Sequence, residues 1–370
     1  MHFDADTKLD FPDVLIKPKR STLESRAQVN LKREFKTRWA QKIITHVPIM
    51  AANMATGTFE MAKAFHKHAM LTAIHKFHDI EDWKAQFTSF ESHDLLKHCL
   101  YTIGMSEMEY SRYKELKAYL SQVMGSEDRA DDLKLCVDIA NGYTQRFASF
   151  IKKIREENPG IVMVAGNVAT PEMVQELVIS GADFVKVGIG PGSQCTTRLK
   201  TGIGYPQISA AMECSDAAHG LGAGIILDGG LRSPGDVAKA FCANSDFVMI
   251  GGMFAGTDEC DGELIEKHFR TNEVEHLDGV WVDKIETKKY KLFYGMSSEF
   301  AQEKHMMGMK AYRASEGRVD EVPYKGPVEI IIQDILGGLR STGTYIGAKE
   351  LKHFGLCATL VRVSRQHDRF

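Results

Sequence analysis

The chain has 370 residues, 44% hydrophobic and 26% charged, with a formal net charge of −3. That composition describes a globular chain with a full core, offers no basic surface for nucleic acid, and contains no apolar run near the roughly 20 residues that cross a bilayer. The acidic, polar start MHFDADTKLD is unlike a signal sequence, and seven cysteines without zinc-type pairing point to reduced thiols in the cytoplasm.

Eight short apolar runs recur along the chain: 47–53, 71–76, 98–105, 133–141, 161–167, 184–190, 224–230 and 247–253. They are nearly continuous rather than alternating, as expected of parallel strands buried on both faces. Helical patterns lie between them, at 59–68, 107–122, 144–157, 170–180 and from Ser233. Thr170 suits an N-cap with Pro171 at the first helical position, and Ser233-Pro234 repeats the arrangement. Eight β–α alternations predict a (β/α)8 TIM barrel, with a doubly wound open sheet as the alternative. The barrel closes near Gly256. Beyond it, Asp278–Ser298 alternates like a hairpin, and Gly326–Thr342 begins as an amphipathic helix that Gly337-Gly338 should stop. No linker or repeat interrupts the chain, so residues 1–370 read as one catalytic domain with an N-terminal extension and C-terminal elaborations.

A barrel gathers its chemistry at the C-terminal ends of its strands. The seventh and eighth runs end in Gly229-Gly230 and Gly251-Gly252, where backbone N–H groups could bind phosphate. Tight turns needing positive φ are the alternative for either pair alone. Two pairs at the expected ends favour phosphate.

One cysteine keeps unusual company. Cys195 lies in VGIGPGSQCTTRLKTGIGYPQ, a polar glycine-rich loop with Arg198 and Lys200 nearby. Backbone N–H groups and cations favour a thiolate nucleophile. Residue types alone leave nucleophile and structural thiol evenly balanced. The other six cysteines sit in helical or strand runs, or in the tail.

This loop closely resembles the active-site loop of the IMP dehydrogenase/GMP reductase family. The resemblance extends from DVLIKPKRSTLESR (Asp13–Arg26) through ILGGLRST to ATLVRV. There is no room between Asn53 and Cys195 for the regulatory modules common in the dehydrogenases. Tyr205 in KTGIGYPQ, YGMSS, YRASEG, CVDIANGY and AIHK are all similar to the reductase branch. The resemblance implies conversion of GMP and NADPH into IMP, NADP⁺ and ammonia through a thioimidate on Cys195. Thr197 and Glu316 would relay a proton to the departing amine. Substrate contacts carried over are Asp228, Gly229, Gly230, Gly251, Gly252, Gly295, Met296, Ser297, Arg313, Ala314, Ser315 and Gly317. Cofactor contacts are Ser25, Arg26, Lys76, Asp138, Ile139, Ala140, Ile189 and Gly190. A monovalent cation, K⁺, would be held by Gly190, Gly192, Cys195 and Arg198. A homotetramer with no nucleic-acid or membrane partner is implied as well. The alternatives are an IMP dehydrogenase lacking regulatory modules and a purine-nucleotide-binding regulator without turnover.

Four departures from the family pattern stand out. ANMATGTF lacks one residue and has Ala55 where aspartate is usual. Phe77 replaces a common histidine, and Gln194 a small apolar residue. Extra residues precede KLFYGMSS.

Overall fold

The computed structural model describes residues 3–277, 280–295, 298, 300–301 and 316–364. The N-terminal segment contributes β1 (Val14–Ile16), β2 (Arg33–Lys36) and β3 (Ile43–His46). Then β4 (Ile49–Ala51), β5 (Leu71–Ile74), β6 (Cys99–Ile103), β7 (Lys134–Asp138), β8 (Met163–Val168), β9 (Phe184–Val187), β10 (Gly224–Asp228) and β11 (Phe247–Ile250) form a closed parallel barrel, β11 pairing with β4. Each strand is followed by a helix: α1 (Phe59–His66), α2 (Ile80–Gln86), α3 (Glu107–Met124), α4 (Gln145–Glu157), α5 (Pro171–Ser180), α6 (Gln207–Gly220), α7 (Pro234–Cys242) and α8 (Glu329–Ile346). This is the expected (β/α)8 barrel. The strands are shorter than their apolar runs, and most of the trimmed C-terminal residues form the loops at the mouth.

Local chemistry starts these helices. Thr58 Oγ1 accepts from Met61 N–H, Asp79 from Asp82 N–H and Ser233 from Asp236 N–H, each satisfying an amide the helix leaves open. Thr170 occupies the N-cap position of α5, but its hydroxyl accepts from Tyr143 Oη instead.

Two apolar layers result. One lies between strands and helices; the other fills the barrel interior, with Met50, Leu71, Leu100, Val164, Ile226 and Met249. The β2–β3 hairpin plugs the N-terminal end. Phe35 stacks on Phe247 at 4.5 Å and meets Phe184 edge-on at 5.8 Å. The plug leaves the C-terminal end of the barrel to form the mouth. Among the described residues no helix is long and apolar enough to cross a membrane.

Two expectations fail in the C-terminal part. Asp278–Ser298 is not a hairpin in itself: β13 (Val280–Tyr294) is one arm, paired antiparallel with β12 (Leu264–Leu277). Residues 278–279, which separate the two arms in the sequence, lie outside the described residues. The first arm is too charged on both faces to show a clear alternation. On its other edge β13 pairs with β14 (Val319–Pro323). The last strand, β15 (Leu360–Arg362), pairs with β1.

The second failure is the Gly-Gly stop. α8 runs straight through Gly337-Gly338 and ends at Gly347, in the left-handed conformation. A Cβ on Gly338 would lie 2.8 Å from Pro234 Cβ, whereas Gly337 faces open space. Close packing against the start of α7, not termination, explains Gly338. Gly337→Ala should therefore stabilise the protein by about 0.5–1 kcal/mol. Gly338→Ala should destabilise it by about 1–3 kcal/mol through overpacking. Denaturant titration of both variants checks the opposite signs.

Candidate active site

The mouth holds a cleft of about 460 Å³. Of the residues expected at the site, it is lined by Cys195, Thr197, Glu316, Asp228, Gly229, Gly230, Gly251, Gly252, Gly295, Gly317, Asp138, Ile139, Ala140, Ile189, Gly190 and Gly192. Met296, Ser297, Arg313, Ala314 and Ser315 lie outside the described residues. Ser25 and Arg26 do not line the cleft. Ser25 caps the short turn Arg26–Gln28, which packs on α8, and Val29 just beyond it contacts Gly343 near that helix's C-terminal end. Lys76 follows β5 and is ion-paired with Glu109 at 3.3 Å.

The cysteine loop leaves β9 and is held by a segment more than a hundred residues away. Thr196 N–H donates to Glu316 C=O (2.9 Å), Arg318 N–H to Gln194 C=O (3.1 Å) and Gly295 N–H to Arg318 C=O (3.0 Å). Residues 316–318 thus lie antiparallel to the loop and run directly into β14. The hairpin sheet delivers Glu316 to the cleft. Gln194 is buried, and its Nε2 donates to Asp320 Oδ2 at 3.0 Å. A small apolar residue could not make that bond, so Gln194 fastens the loop to β14.

Within this frame three side chains form a line. Cys195 Sγ donates to Thr197 Oγ1 at 3.2 Å, and Thr197 Oγ1 to Glu316 Oε2 at 2.5 Å. A thiol, a hydroxyl and a carboxylate in series can move a proton between the nucleophile's surroundings and the carboxylate. Cys195 is partly exposed. Five other thiols are buried, and burial pushes Cys99, Cys136, Cys214 and Cys242 up to about 12 and Cys260 up to about 11. They are held as neutral thiols, which do not attack carbon.

The glycine pairs differ from one another. Gly229 and Gly230 both have φ near +85°, so the left-handed turn requires them. Gly251 and Gly252 have no such φ. Their constraint is space: a Cβ would lie 2.7 Å from Met54 Sδ at Gly251 and 3.0 Å from Ser193 Oγ at Gly252. Gln207 is buried and donates to the carbonyls of Asp228 and Gly229, which fixes the first turn.

The cleft is also lined by a charge cluster whose lysine the sequence reading missed. Lys186, buried on β9, bonds Asp138 Oδ1 on β7 and lies 3.3 Å from Asp228 Oδ2 on β10. Asn53 donates to Asp138 Oδ2 at 2.9 Å, and Asn167 to Asp228 Oδ2 at 2.8 Å. Gly166 on β8 stands between Asp138 and Lys186 in register, and a Cβ there would lie 2.5 Å from Lys186 Cβ. Its missing side chain lets the two meet. Burial acts to strip Lys186 of its proton, but the two carboxylates outweigh it and raise the pKa. Burial likewise acts to protonate Asp138, and Lys186 overrides it and keeps the pKa low. The available signal was one lysine inside FVKV, between strands ending in aspartate.

The site's fit to the implied cofactor and ion is uneven. Asn167 Oδ1 lines the cleft, buried and without a hydrogen-bond partner, so a bound amide or amine donor would complete it. Asp138, Ile139, Ala140 and Gly190 form a wall beside it, which fits the nicotinamide end of a dinucleotide. For a hard monovalent cation the loop offers main-chain carbonyls, the correct donor type. The Gly192 carbonyl accepts from Cys195 N–H at 3.0 Å and keeps a second lone pair. Arg198 can offer only its carbonyl, since its guanidinium donates to Asp10 and to Tyr205 C=O, and its stem fills the space a Cβ on Gly190 would need.

A (β/α)8 barrel plugged at one end, with a cleft holding a partly exposed thiol and a hydroxyl–carboxylate pair at the other, has the architecture of a barrel enzyme. The IMP dehydrogenase / GMP reductase domain family matches residues 8–368, and the chain belongs to that family. It is 50% identical to GMP reductase 2 of Bos taurus over 366 residues, covering 99% of this chain and 97% of the relative. The same identity and coverage hold for GMP reductase 2 of Homo sapiens. GMP reductase of Citrobacter koseri is 48% identical over 370 residues, 100% of this chain and 99% of the relative.

Proposed function

We propose that the chain is a GMP reductase: an NADPH-dependent enzyme that deaminates GMP to IMP and ammonia, serving purine interconversion. The observation that carries the reading is the Cys195–Thr197–Glu316 line, in a chain whose relatives at about half identity bear that name.

The purine C2 carries an amine, a poor leaving group until protonated. Cys195 passes its proton through Thr197 to Glu316, and the thiolate adds to C2, forming the S–C2 bond. The C2–N electron pair leaves with the amine, which takes its proton from Glu316 through the Thr197 hydroxyl. The nicotinamide, when bound, supplies the hydride that converts the resulting thioimidate. The S–C2 bond then breaks, returning the thiolate and releasing IMP. Asp228 accepts from ribose hydroxyls, being acceptor-only. The amides of Gly230, Gly251 and Gly252 would take the phosphate, whereas Gly229 N–H is given to Met249 C=O at 3.4 Å. Lys76, now paired with Glu109, would hold the cofactor's 2′-phosphate. The carbonyls of Gly190, Gly192, Cys195 and Arg198 would hold K⁺, whose charge would shape the loop. The chain acts as one catalytic domain, in a cytoplasmic homotetramer.

Incubation with GMP and NADPH, following absorbance loss and ammonia release, tests the reading. NADH formation from IMP and NAD⁺ would replace it with the dehydrogenase, and nucleotide binding without either reaction with the regulator. Glu316→Gln should lower kcat about 10²–10⁴-fold, the typical share of general acid catalysis, with KM for GMP little changed. Steady-state kinetics decide it; an unchanged kcat removes Glu316 from the relay.

A further inference from the structure

Beside the mouth, but not lining the cleft, three ligand-type residues meet. His75 follows β5, His78 lies just before α2, and Asp261 stands shortly before β12. One ligand atom from each lies within 4.8 Å of the others. His75 Nε2 and Asp261 Oδ2 are 2.8 Å apart. The two imidazoles are stacked, with centroids at 4.2 Å and planes 11° apart. Two imidazolium ions would repel in that arrangement, and burial, helped by His75, lowers the pKa of His78.

His78 is also set in one tautomer. Its Nδ1 faces Asp82 Oδ2 at 3.3 Å, which places the ring proton there. Nε2 is left with a free lone pair, and that atom is buried without a hydrogen-bond partner. A buried acceptor with nothing to accept from costs free energy. A carboxylate behind a histidine is the usual support of a metal ligand. Asp261 is held in place through its backbone: its N–H donates to Ala55 C=O at 2.7 Å, and its C=O accepts from Cys260 Sγ.

We propose that His75, His78 and Asp261 bind a divalent transition-metal ion with borderline preferences, of which Zn²⁺ is the type. Two imidazoles and a carboxylate suit Zn²⁺; Mg²⁺ and Ca²⁺ prefer all-oxygen sites. Around a tetrahedral Zn²⁺ with bonds near 2.1 Å, ligand atoms stand about 3.4 Å apart. His78 closes in, and the His75–Asp261 contact opens slightly. The ion takes the place of the hydrogen between His75 and Asp261. The His75 proton moves to Nδ1, and the long 3.3 Å bond from Phe77 N–H is given up. Bound there, the ion ties the end of β5 and the start of α2 to the base of the β12–β13 hairpin, independently of turnover.

The test uses the full chain, stripped with chelator and kept reduced. Zn²⁺ titration by calorimetry should give one ion per chain and a raised Tm, and Co²⁺ should give visible d–d bands. His78→Gln and Asp261→Asn should each weaken binding about tenfold or more, while Cys195→Ser should bind as the unaltered chain does. Circular dichroism checks folding; Asp261, half exposed, carries the test if His78→Gln does not fold. No stoichiometric binding, normal binding by Asp261→Asn, or loss of binding in Cys195→Ser would each overturn the proposal.

Discussion

Cys195→Ser is expected to abolish turnover, about 10⁴-fold or more, as loss of a covalent nucleophile does, while GMP binds with little change. The substitution keeps the volume and the hydrogen bond to Thr197, so the cleft and its glycine turns stay intact. What disappears is the thiolate, since a serine hydroxyl is weakly nucleophilic without a dedicated base. A loss of 10⁴ corresponds to about 5.5 kcal/mol of barrier, too large for a packing defect that spares binding. Trapping separates the steps. With IMP and NADP⁺ but no ammonia, the unaltered enzyme should form reduced cofactor in a single burst and carry a nucleotide adduct by intact mass. Cys195→Ser should show neither. Turnover retained in Cys195→Ser would refute the covalent mechanism.

Local pattern carried the barrel, and distant contact carried much of the rest. All eight barrel strands were legible because burial on both faces leaves continuous apolar runs. Cys195 stood out as a thiol in a Gly-Pro-Gly loop, and it lines the cleft, though residue types alone left its role evenly balanced. Gln194 was not legible, because its partner Asp320 lies on β14, 126 residues on. Gly338 was misread because only contact with Pro234 distinguishes a packing glycine from a stop. Asp278–Ser298 was misread because the charged β12 lacks the alternation that β13 shows. The Ala55 departure also acquires a physical setting: its carbonyl accepts from Asp261, and Ala55 packs with Ala255, Cys260 and Phe293. Ser25 and Arg26, carried over by resemblance as cofactor contacts, do not line this chain's cleft. The motif is present, but this chain packs it against α8 rather than in its own cleft.

Lys186→Met is expected to be the costliest single change to the charge cluster. The lysine is one cation between two carboxylates, and removing it leaves Asp138 and Asp228 facing each other inside the barrel. Breaking a buried pair in this way costs about 3–5 kcal/mol. The loss should depend on pH, with a definite sign. In the unaltered chain Asp138 has a depressed pKa, so its contribution is present above the unfolded value near 3.9 and lost as pH falls through the folded one. In Lys186→Met, burial is opposed only by the Asn53 hydrogen bond and the Lys76 charge, smaller effects than the lost lysine, and the carboxylate pKa rises. The variant's deficit should therefore be largest at neutral pH and shrink as acid protonates a carboxylate. Lys186→Met/Asp138→Asn removes one of the two uncompensated charges and should recover about 1–3 kcal/mol of the loss, the coupling typical of contacting residues. Denaturant titrations of the three proteins at pH 7.5 and 5 measure all of this. A double variant no more stable than the single one would mean that Lys186 serves packing alone. GMP affinity should fall alongside stability, because Asp228, the proposed acceptor for the ribose hydroxyls, would lose its ion pair with Lys186.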